Sequence, residues 1–263
     1  MSLAFKDKVV LVTVLINYIG GTKGIGRSIV EAFIAEGARV YFCSRTAADV
    51  DAAVAALSPP TSTRPGTVVG ATVDASKSEQ VRSWVQSAIS AEGRIDVVIS
   101  NVSSLSMGDD AESWTAAFST DLLGTVTLVN TALPALEKTK GNIIALSSVS
   151  GREIDFSAPG PYGAVKAALT HYIAQQAHVL APKGIRANTV SPGNIYVEGG
   201  IWGNIKRDNP VLFAEQLKAN PMGRLGTPEE VANAVLFLAS DKASFISGTN
   251  MLVDGALCTG VQQ

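Results

Sequence analysis

The chain has 263 residues, 46% of them hydrophobic, and its 21 basic and 23 acidic residues leave a net charge of −2 at pH 7. This length and hydrophobic content suit one large α/β domain with an extensive core, and the charge balance lacks the basic field that nucleic-acid binding needs. The longest apolar run, residues 9–19, is shorter than the roughly 18 residues that cross a bilayer, so no membrane partner is predicted.

Seven short apolar runs alternate with helical patterns along the chain. The predicted strands are residues 8–13, 38–43, 67–72, 96–100, 142–147, 186–191 and 250–253, and the predicted helices are residues 24–36, 46–57, 76–91, 111–137, 161–181 and 228–239. Continuously apolar strands indicate a parallel sheet that is covered on both faces. The alternation predicts a single-domain Rossmann-type α/β fold over residues 1–263, a doubly wound parallel sheet of about seven strands with helices on both faces.

A glycine-rich turn opens the first predicted helix. Such a turn lets backbone N–H groups and the helix N-terminus face a phosphate. The turn has three glycines in the spacing G-x3-G-x-G, at Gly20, Gly24 and Gly26. By itself the turn is also compatible with an ordinary helix start, because its spacing differs from the commoner G-x-G-x-x-G pattern.

Two further signals follow in the second half of the chain. Tyr162 and Lys166 are four residues apart in a predicted helix and therefore share one face. A lysine ammonium beside a phenol favours the phenolate, which would bring the tyrosine closer to proton transfer at neutral pH. Ser147 and Ser148 end a predicted strand, where the ligand crevice of a parallel sheet lies. Each signal alone is common.

Their combination and order are specific. A glycine turn after the first strand, serines after the fifth and Tyr-x-x-x-Lys in the next helix resemble the short-chain dehydrogenase/reductase family, most closely its ketoacyl-reductase-like branch. The resemblance covers nearly all of the chain. It extends to the segments Ser191-Pro192-Gly193, Gly223-Arg224-Leu225-Gly226-Thr227-Pro228 and Val253-Asp254-Gly255.

The resemblance implies an oxidoreductase that transfers hydride between a nicotinamide cofactor and a carbonyl or secondary-alcohol substrate, ketoacyl-type or another ketone. Tyr162 would be the general acid in reduction and the base in oxidation, and Lys166 would contact the nicotinamide ribose. Ser148 would hold the substrate oxygen. The cofactor half would span about residues 1–140, the catalytic and substrate half about 141–263, and a lid about 194–222.

The resemblance also implies the cofactor-binding residues. Asp74 would contact the adenine, Asn101 the adenosine ribose, and Ile195 the carboxamide through its backbone. Ser44 and Arg45 stand where an acidic residue would select NAD(H), and with Lys23 they suit a 2′-phosphate. NADP(H) is therefore expected rather than NAD(H). The remaining contacts implied are Gly20, Gly24, Ile25, Gly26, Pro192 and Gly193, together with Tyr162 and Lys166.

The chain departs from the family pattern at several positions. Val102 and Ser103 replace smaller residues of an Asn-Asn-Ala-Gly segment, and Val197 replaces a frequent threonine. Asp121 stands where the family often places an asparagine that supports a proton-relay water. An ionised Asp121 could pair with Lys166 or tune it, and we count it among the catalytic residues.

The largest departure is an apparent insertion, Val14–Ile19, between Thr13 and Gly20. In one interpretation the first strand stays in place and the inserted residues bulge over the cofactor cleft. In another, Val14–Ile19 slips into the sheet and displaces that strand; a third is an engineered or erroneous segment. The insertion leaves a second function open, a cofactor-impaired scaffold or binding protein with the same fold.

Other residues and features carry weaker signals. His171 and His178 lie seven apart without carboxylate or thiolate company, so no metal site is predicted. Cys43 and Cys258 are too few for a disulfide framework, and residues 1–8 lack a secretory hydrophobic segment; a cytoplasmic protein is expected. By the resemblance, helices 111–137 and 228–239 would build a homo-oligomer, a dimer or a tetramer. The partner otherwise expected is a small-molecule carbonyl or alcohol.

Overall fold

The computed structural model of the protein describes residues 3–14, 24–58, 65–155 and 158–260. The strands in these ranges are β1 (Val9–Val14), β2 (Arg39–Ser44), β3 (Thr67–Thr72), β4 (Val97–Asn101), β5 (Asn142–Leu146), β6 (Arg186–Pro192) and β7 (Asn250–Val253). They form one sheet in the order β3-β2-β1-β4-β5-β6-β7. Every neighbouring pair is parallel, which confirms the predicted doubly wound sheet.

Helices cover both faces of this sheet. Their bounds are α1 (Ile25–Ala35), α2 (Ala47–Leu57), α3 (Ser78–Glu92), α4 (Ala111–Ala117), α5 (Gly124–Thr139), α6 (Pro161–Leu180), α7 (Ile201–Asp208), α8 (Pro210–Ala219) and α9 (Pro228–Ala239). One core cluster joins the sheet to α1, α2 and α9, and the other joins it to α3, α5 and α6. Because both faces are covered, the central strands are buried along their whole length, as their continuous apolar sequences predicted.

The first strand keeps its place in the sheet. Val9–Thr13 pair with β2 on one side, and Val10–Val14 pair with β4 on the other. The interpretation in which Val14–Ile19 displaces this strand is therefore wrong, because the original strand already fills the space between β2 and β4. Val14 extends the strand by one residue. Residues 15–23, which include the rest of the insertion, Gly20 and Lys23, lie outside the described residues.

Two predicted segments differ from the structure. The helix predicted over 111–137 is divided, because a π-helical segment, Phe118–Leu123, lies between α4 and α5. The stretch 194–222, in which no helix was predicted, contains α7 and α8. The glycines at the start of this stretch concealed the helical pattern. Asn209 caps α8 by accepting a hydrogen bond from the Leu212 N–H at 3.1 Å. Among the helices in the described ranges, none combines the length and hydropathy of a membrane span.

Candidate functional site

The strand order reverses between β1 and β4, and this position defines the candidate site. The chain leaves β1 towards β2 and leaves β4 towards β5, so a crevice opens beyond their carboxyl ends. Val14 and Asn101, the last residues of the two strands, are paired in the sheet. The Thr13 hydroxyl accepts a hydrogen bond from the Asn101 N–H at 2.9 Å and ties the two ends together.

Helix α1 begins against this crevice. A methyl group on Gly26 would lie 2.5 Å from Asn101 Nδ2 and 2.8 Å from Val14 Cγ1, so any larger residue there would have to displace these side chains. Gly24 precedes the helix in an extended conformation, and no atom of the described residues lies within 4 Å of the position that its Cβ would take. Gly24, Ile25 and Gly26 therefore place the helix N-terminus at the crevice, as the motif predicted.

Two predicted adenosine contacts lie at the ends of β2 and β3. Ser44 is buried, and its Oγ has no hydrogen-bond partner among the described residues. Arg45 follows it and is exposed. Asp74 lies after β3, where one carboxylate oxygen accepts hydrogen bonds from the Ser76 N–H at 2.9 Å and the Ser76 hydroxyl at 2.8 Å. A buried hydroxyl without a partner is unusual and is consistent with a ligand group at Ser44.

Ser148 lies in a turn that packs on the start of α6. The turn, Val149–Gly151, follows β5, and Ser148 is its N-cap. A methyl group on Gly163 would lie 2.5 Å from the Ser150 carbonyl oxygen, so a glycine lets the turn approach α6 closely. The first turn of α6 carries Tyr162. The fold thus brings the turn of Ser148 against the helix turn of Tyr162. Ser147, by contrast, bonds to the Lys166 carbonyl and to Thr170 and has a structural role.

Tyr162 and Lys166 lie on one face of α6. The Lys166 Nζ is 5.8 Å from the centroid of the Tyr162 ring. Lys166 is 2% exposed, and its ammonium donates to the Val102 and Leu146 carbonyl oxygens, both at 3.2 Å. It also pairs with Asp121 Oδ2 at 3.3 Å. A ribose that contacts Lys166 would therefore replace one of these acceptors.

Asp121 and Ser103, two departures from the family pattern, contact each other. The Ser103 hydroxyl donates to Asp121 Oδ2 at 2.8 Å, and the Ser104 N–H donates to Oδ1 at 2.6 Å. Asp121 is 1% exposed, so these donors and Lys166 compensate its burial. The π-helical segment carries it, a conformation often found at functional sites. Sequence reasoning did not identify Ser103 and Ser104 as hydrogen-bond partners of Asp121. The available signal was that positions 103 and 121 both depart from the family pattern.

The predicted carboxamide contact follows β6. Pro192 ends that strand, and the Gly193 N–H donates to the Val253 carbonyl at 3.0 Å. Ile195 forms a parallel bridge with Gly226, in which Asn194 and Tyr196 make the backbone hydrogen bonds to Gly226. Since alternate residues of a parallel ladder point to opposite sides, the backbone groups of Ile195 face away from Gly226.

Two nearby titratable groups are poorly suited to proton transfer. Burial raises the pKa of the Cys43 thiol well above its ordinary value, and Cys43 packs as a small buried side chain. Burial also raises the pKa of Tyr172, on the same helix as Tyr162, to about 12. Ser148, Tyr162 and Lys166 remain the residues predicted for general acid–base chemistry. The start of α1, the close approach at Gly26 and the unpartnered Ser44 hydroxyl fit a dinucleotide.

Comparisons with known proteins agree with this fold. The family model described as enoyl-(acyl carrier protein) reductase matches residues 20–257. Isoepoxydon dehydrogenase patN of Penicillium expansum is 42% identical over 246 residues, which are 92% of this chain and 94% of that protein. L-fucose dehydrogenase of Bos taurus is 36% identical over 97% of this chain and 91% of its own length. A short-chain dehydrogenase/reductase structure from Brucella melitensis superposes with a TM-score of 0.86, at 28% identity, over 99% of this chain and 100% of that one.

Proposed function

Because the chain belongs to the short-chain dehydrogenase/reductase family of oxidoreductases, we propose that it transfers hydride between NADP(H) and a carbonyl or secondary-alcohol substrate. The observation that carries the proposal is the packing of the Ser148 turn on the helix that bears Tyr162 and Lys166. This packing brings a hydroxyl, a phenol and an ammonium to the end of β5, at the ligand edge of the sheet.

Each residue has a defined task in this proposal. Tyr162 donates a proton to the carbonyl oxygen in reduction and takes the hydroxyl proton in oxidation. Ser148 holds that oxygen by a hydrogen bond, and the Lys166 ammonium favours the negative charge that develops on the phenol. Asp121 fixes Lys166 through the ion pair at 3.3 Å. The bound nicotinamide supplies or accepts the hydride, which is the chemistry of the cofactor itself.

The preference for NADP(H) rests on the end of β2. Ser44 and Arg45 stand there in place of an acidic side chain, and the buried Ser44 hydroxyl lacks a partner among the described residues. A carboxylate at this position would repel a 2′-phosphate, whereas a guanidinium and a hydroxyl would bind it. Lys23 would add a second cation.

The experiment is a screen with NADPH and NADH over carbonyl classes that include 3-oxoacyl thioesters, sugars and cyclic ketones. We expect oxidation of NADPH in preference to NADH. Tyr162→Phe removes the acid–base group, and its rate should fall by about 10² to 10⁴. Tyr172→Phe is the matched control, because it deletes a buried hydroxyl without a hydrogen-bond partner in the described residues of the same fold. Equal loss in both variants would contradict the role of Tyr162.

A cofactor-impaired binding protein is the second candidate function, and the insertion favours it. Val14, the first inserted residue, already contacts the start of α1 near Gly26. The segment after it separates the strand from Gly20, which would displace the glycine turn from the pyrophosphate. NADPH fluorescence on mixing tests this candidate. Deletion of residues 14–19 should strengthen NADPH binding, and unchanged affinity would contradict the displacement.

Further parts of the proposal concern the molecule as a whole. We infer a one-domain, cytoplasmic enzyme that forms a homodimer or homotetramer. Residues 194–222 act as a lid: none of the residues of α7 and α8 is fully buried, and segments with so little burial open readily. Edge-to-face contact of Tyr196 with Phe213, with 6.2 Å between ring centroids, would hold the lid in place.

A further inference from the structure

The Ser148 hydroxyl belongs to a row of three hydrogen-bonded side chains. Ser148 Oγ is 3.1 Å from Ser150 Oγ, which is 2.7 Å from Asp155 Oδ2. The Ser150 N–H also donates to Ser148 Oγ at 3.2 Å. Ser148 is buried, and Asp155 is partly exposed. Neither Ser150 nor Asp155 has a role in the proposed chemistry, so the row needs its own explanation.

Hydrogen-bonding capacity determines the direction of the row. A carboxylate only accepts, and a serine hydroxyl has one proton. Ser150 therefore donates its proton to Asp155 and can only accept from Ser148. The single proton of Ser148 then points to Ser150. Since the Ser150 N–H already occupies one lone pair of Ser148, the hydrogen-bonding capacity that Ser148 has left is its other lone pair, which is an acceptor.

From this direction we propose that Asp155 and Ser150 are positioning residues that orient Ser148 as a hydrogen-bond acceptor, so that the site favours the alcohol form of its substrate over the carbonyl form. The inference rests on the proposed function. A hydroxyl can donate to Ser148 and accept from the Tyr162 phenol at the same time. A carbonyl oxygen only accepts, so it faces the Ser148 lone pair unless Ser148 gives up its bond to Ser150.

Neutron diffraction from deuterium-exchanged crystals at neutral pH tests the direction without cofactor or substrate. We expect deuterium between Ser148 and Ser150, and between Ser150 and Asp155. A Ser148 deuteron that points to the crevice, or a deuterated Asp155 carboxyl, would overturn the inference. Because this measurement is independent of turnover, its outcome is distinct from failure of the proposed function.

The preference for the alcohol form is tested by measuring how an alcohol and its ketone, taken from the substrate screen, bind to enzyme–cofactor complexes that cannot react with them. The alcohol is titrated into the NADPH complex and the ketone into the NADP⁺ complex. Ser150→Ala keeps the N–H donor but frees the Ser148 proton. In this variant Ser148 can donate to the ketone, so we expect the dissociation constant of the ketone divided by that of the alcohol to fall about fivefold. This factor corresponds to the free energy of one neutral hydrogen bond.

The matched control is Ser113→Ala, because Ser113 also donates its hydroxyl to an aspartate, Asp110, at 3.0 Å, in a turn at the start of α4. We expect no change in the ratio for this control. Equal weakening of alcohol and ketone in Ser150→Ala would indicate a purely structural role of Ser150 and would overturn the preference for the alcohol form.

Discussion

At the scale of single residues, the buried charges of the site depend on one another. Asp121 and Lys166 are 1% and 2% exposed, and the donors and acceptors around them are supplied by Val102, Ser103 and Ser104. Such a pair adds little net stability relative to apolar packing, but removal of one partner leaves an uncompensated buried charge. A carboxylate needs more donors than an amide, and the Ser103 hydroxyl supplies one of them to Asp121.

We predict that Asp121→Ala lowers the free energy of unfolding by about 3–5 kcal/mol, because it leaves the Lys166 ammonium buried without its carboxylate. Asp121→Asn retains an acceptor oxygen for Lys166, so the free energy of unfolding should fall by less in this variant. Urea unfolding measures both. Asp208→Ala removes an exposed carboxylate paired with its neighbour Arg207 and serves as the control, with an effect within about 0.5 kcal/mol. Equal stability of Asp121→Ala and this control would contradict the prediction.

At the scale of elements, the approach of α1 to the sheet positions the phosphate-binding end of the helix. Gly26→Ala should destabilise the protein by about 1–3 kcal/mol, because its methyl group would overlap Asn101 and Val14. NADPH affinity should fall as α1 shifts. Gly24→Ala has open space among the described residues, so its melting temperature should stay close to that of the wild type. Similar melting temperatures for both variants would contradict the prediction, because they would show that the helix accommodates a methyl group at position 26 without cost.

The Glu230 carboxylate at the start of α9 makes the stability of the protein depend on pH. Hydrogen bonds from Arg224 and from the Thr227 N–H lower the pKa of Glu230 from 4.5 to about 2. Between these values the unfolded chain binds more protons than the folded one, so stability falls as the pH drops from about 4.5 towards 2. Glu230 lies 39% exposed in this pair, and solvent screening therefore keeps the effect modest.

We predict that Glu230→Gln lowers the melting temperature near neutral pH and that the difference from wild type shrinks through that acidic window. Thermal unfolding followed by circular dichroism at a series of pH values measures it. At about 1 M salt the Debye length is about 3 Å, and the difference should decrease there too. A difference that stays constant with pH would show that the charge of Glu230 contributes nothing.

At the scale of the whole molecule, exposed apolar side chains mark the surface at which we expect copies of the chain to meet. Trp114, Phe118 and Leu123 lie along α4 and the π-helical segment and are 42%, 47% and 43% exposed. Helix α9, the other helix expected to build the homo-oligomer, buries one face in the core with α1 and α2. We assign the contact of the proposed homo-oligomer to the α4–α5 side, because these three apolar side chains are exposed there.

We predict that Phe118→Asp yields a species of lower mass in light scattering, because a desolvated carboxylate at an apolar contact is costly. Val211→Asp adds the same charge to an exposed position of α8 and should leave the mass unchanged. A lower mass for both variants, or for neither, would contradict the assignment of the contact to this side.

The elements differ in how far they could be predicted. Strand bounds agree within about a residue, since each buried strand is a local apolar run with polar flanks. The divided helix over 111–137 could not be predicted, because a π-helical segment has no periodic signal of its own. Helices α7 and α8 were missed because their exposed sequences bury too little to show a pattern, and α7 also contains Gly203.

Periodicity and motif spacing are local properties of the chain, and they were enough to predict the doubly wound sheet and the family and to select Ser148, Tyr162 and Lys166. The three-dimensional structure was needed to show that Val9–Val14 stays between β2 and β4, that Ser103 and Lys166 share Asp121, and that Ser148 is hydrogen-bonded through Ser150 to Asp155. Such contacts depend on strand register, helix placement and side-chain orientation, which packing sets between separate segments.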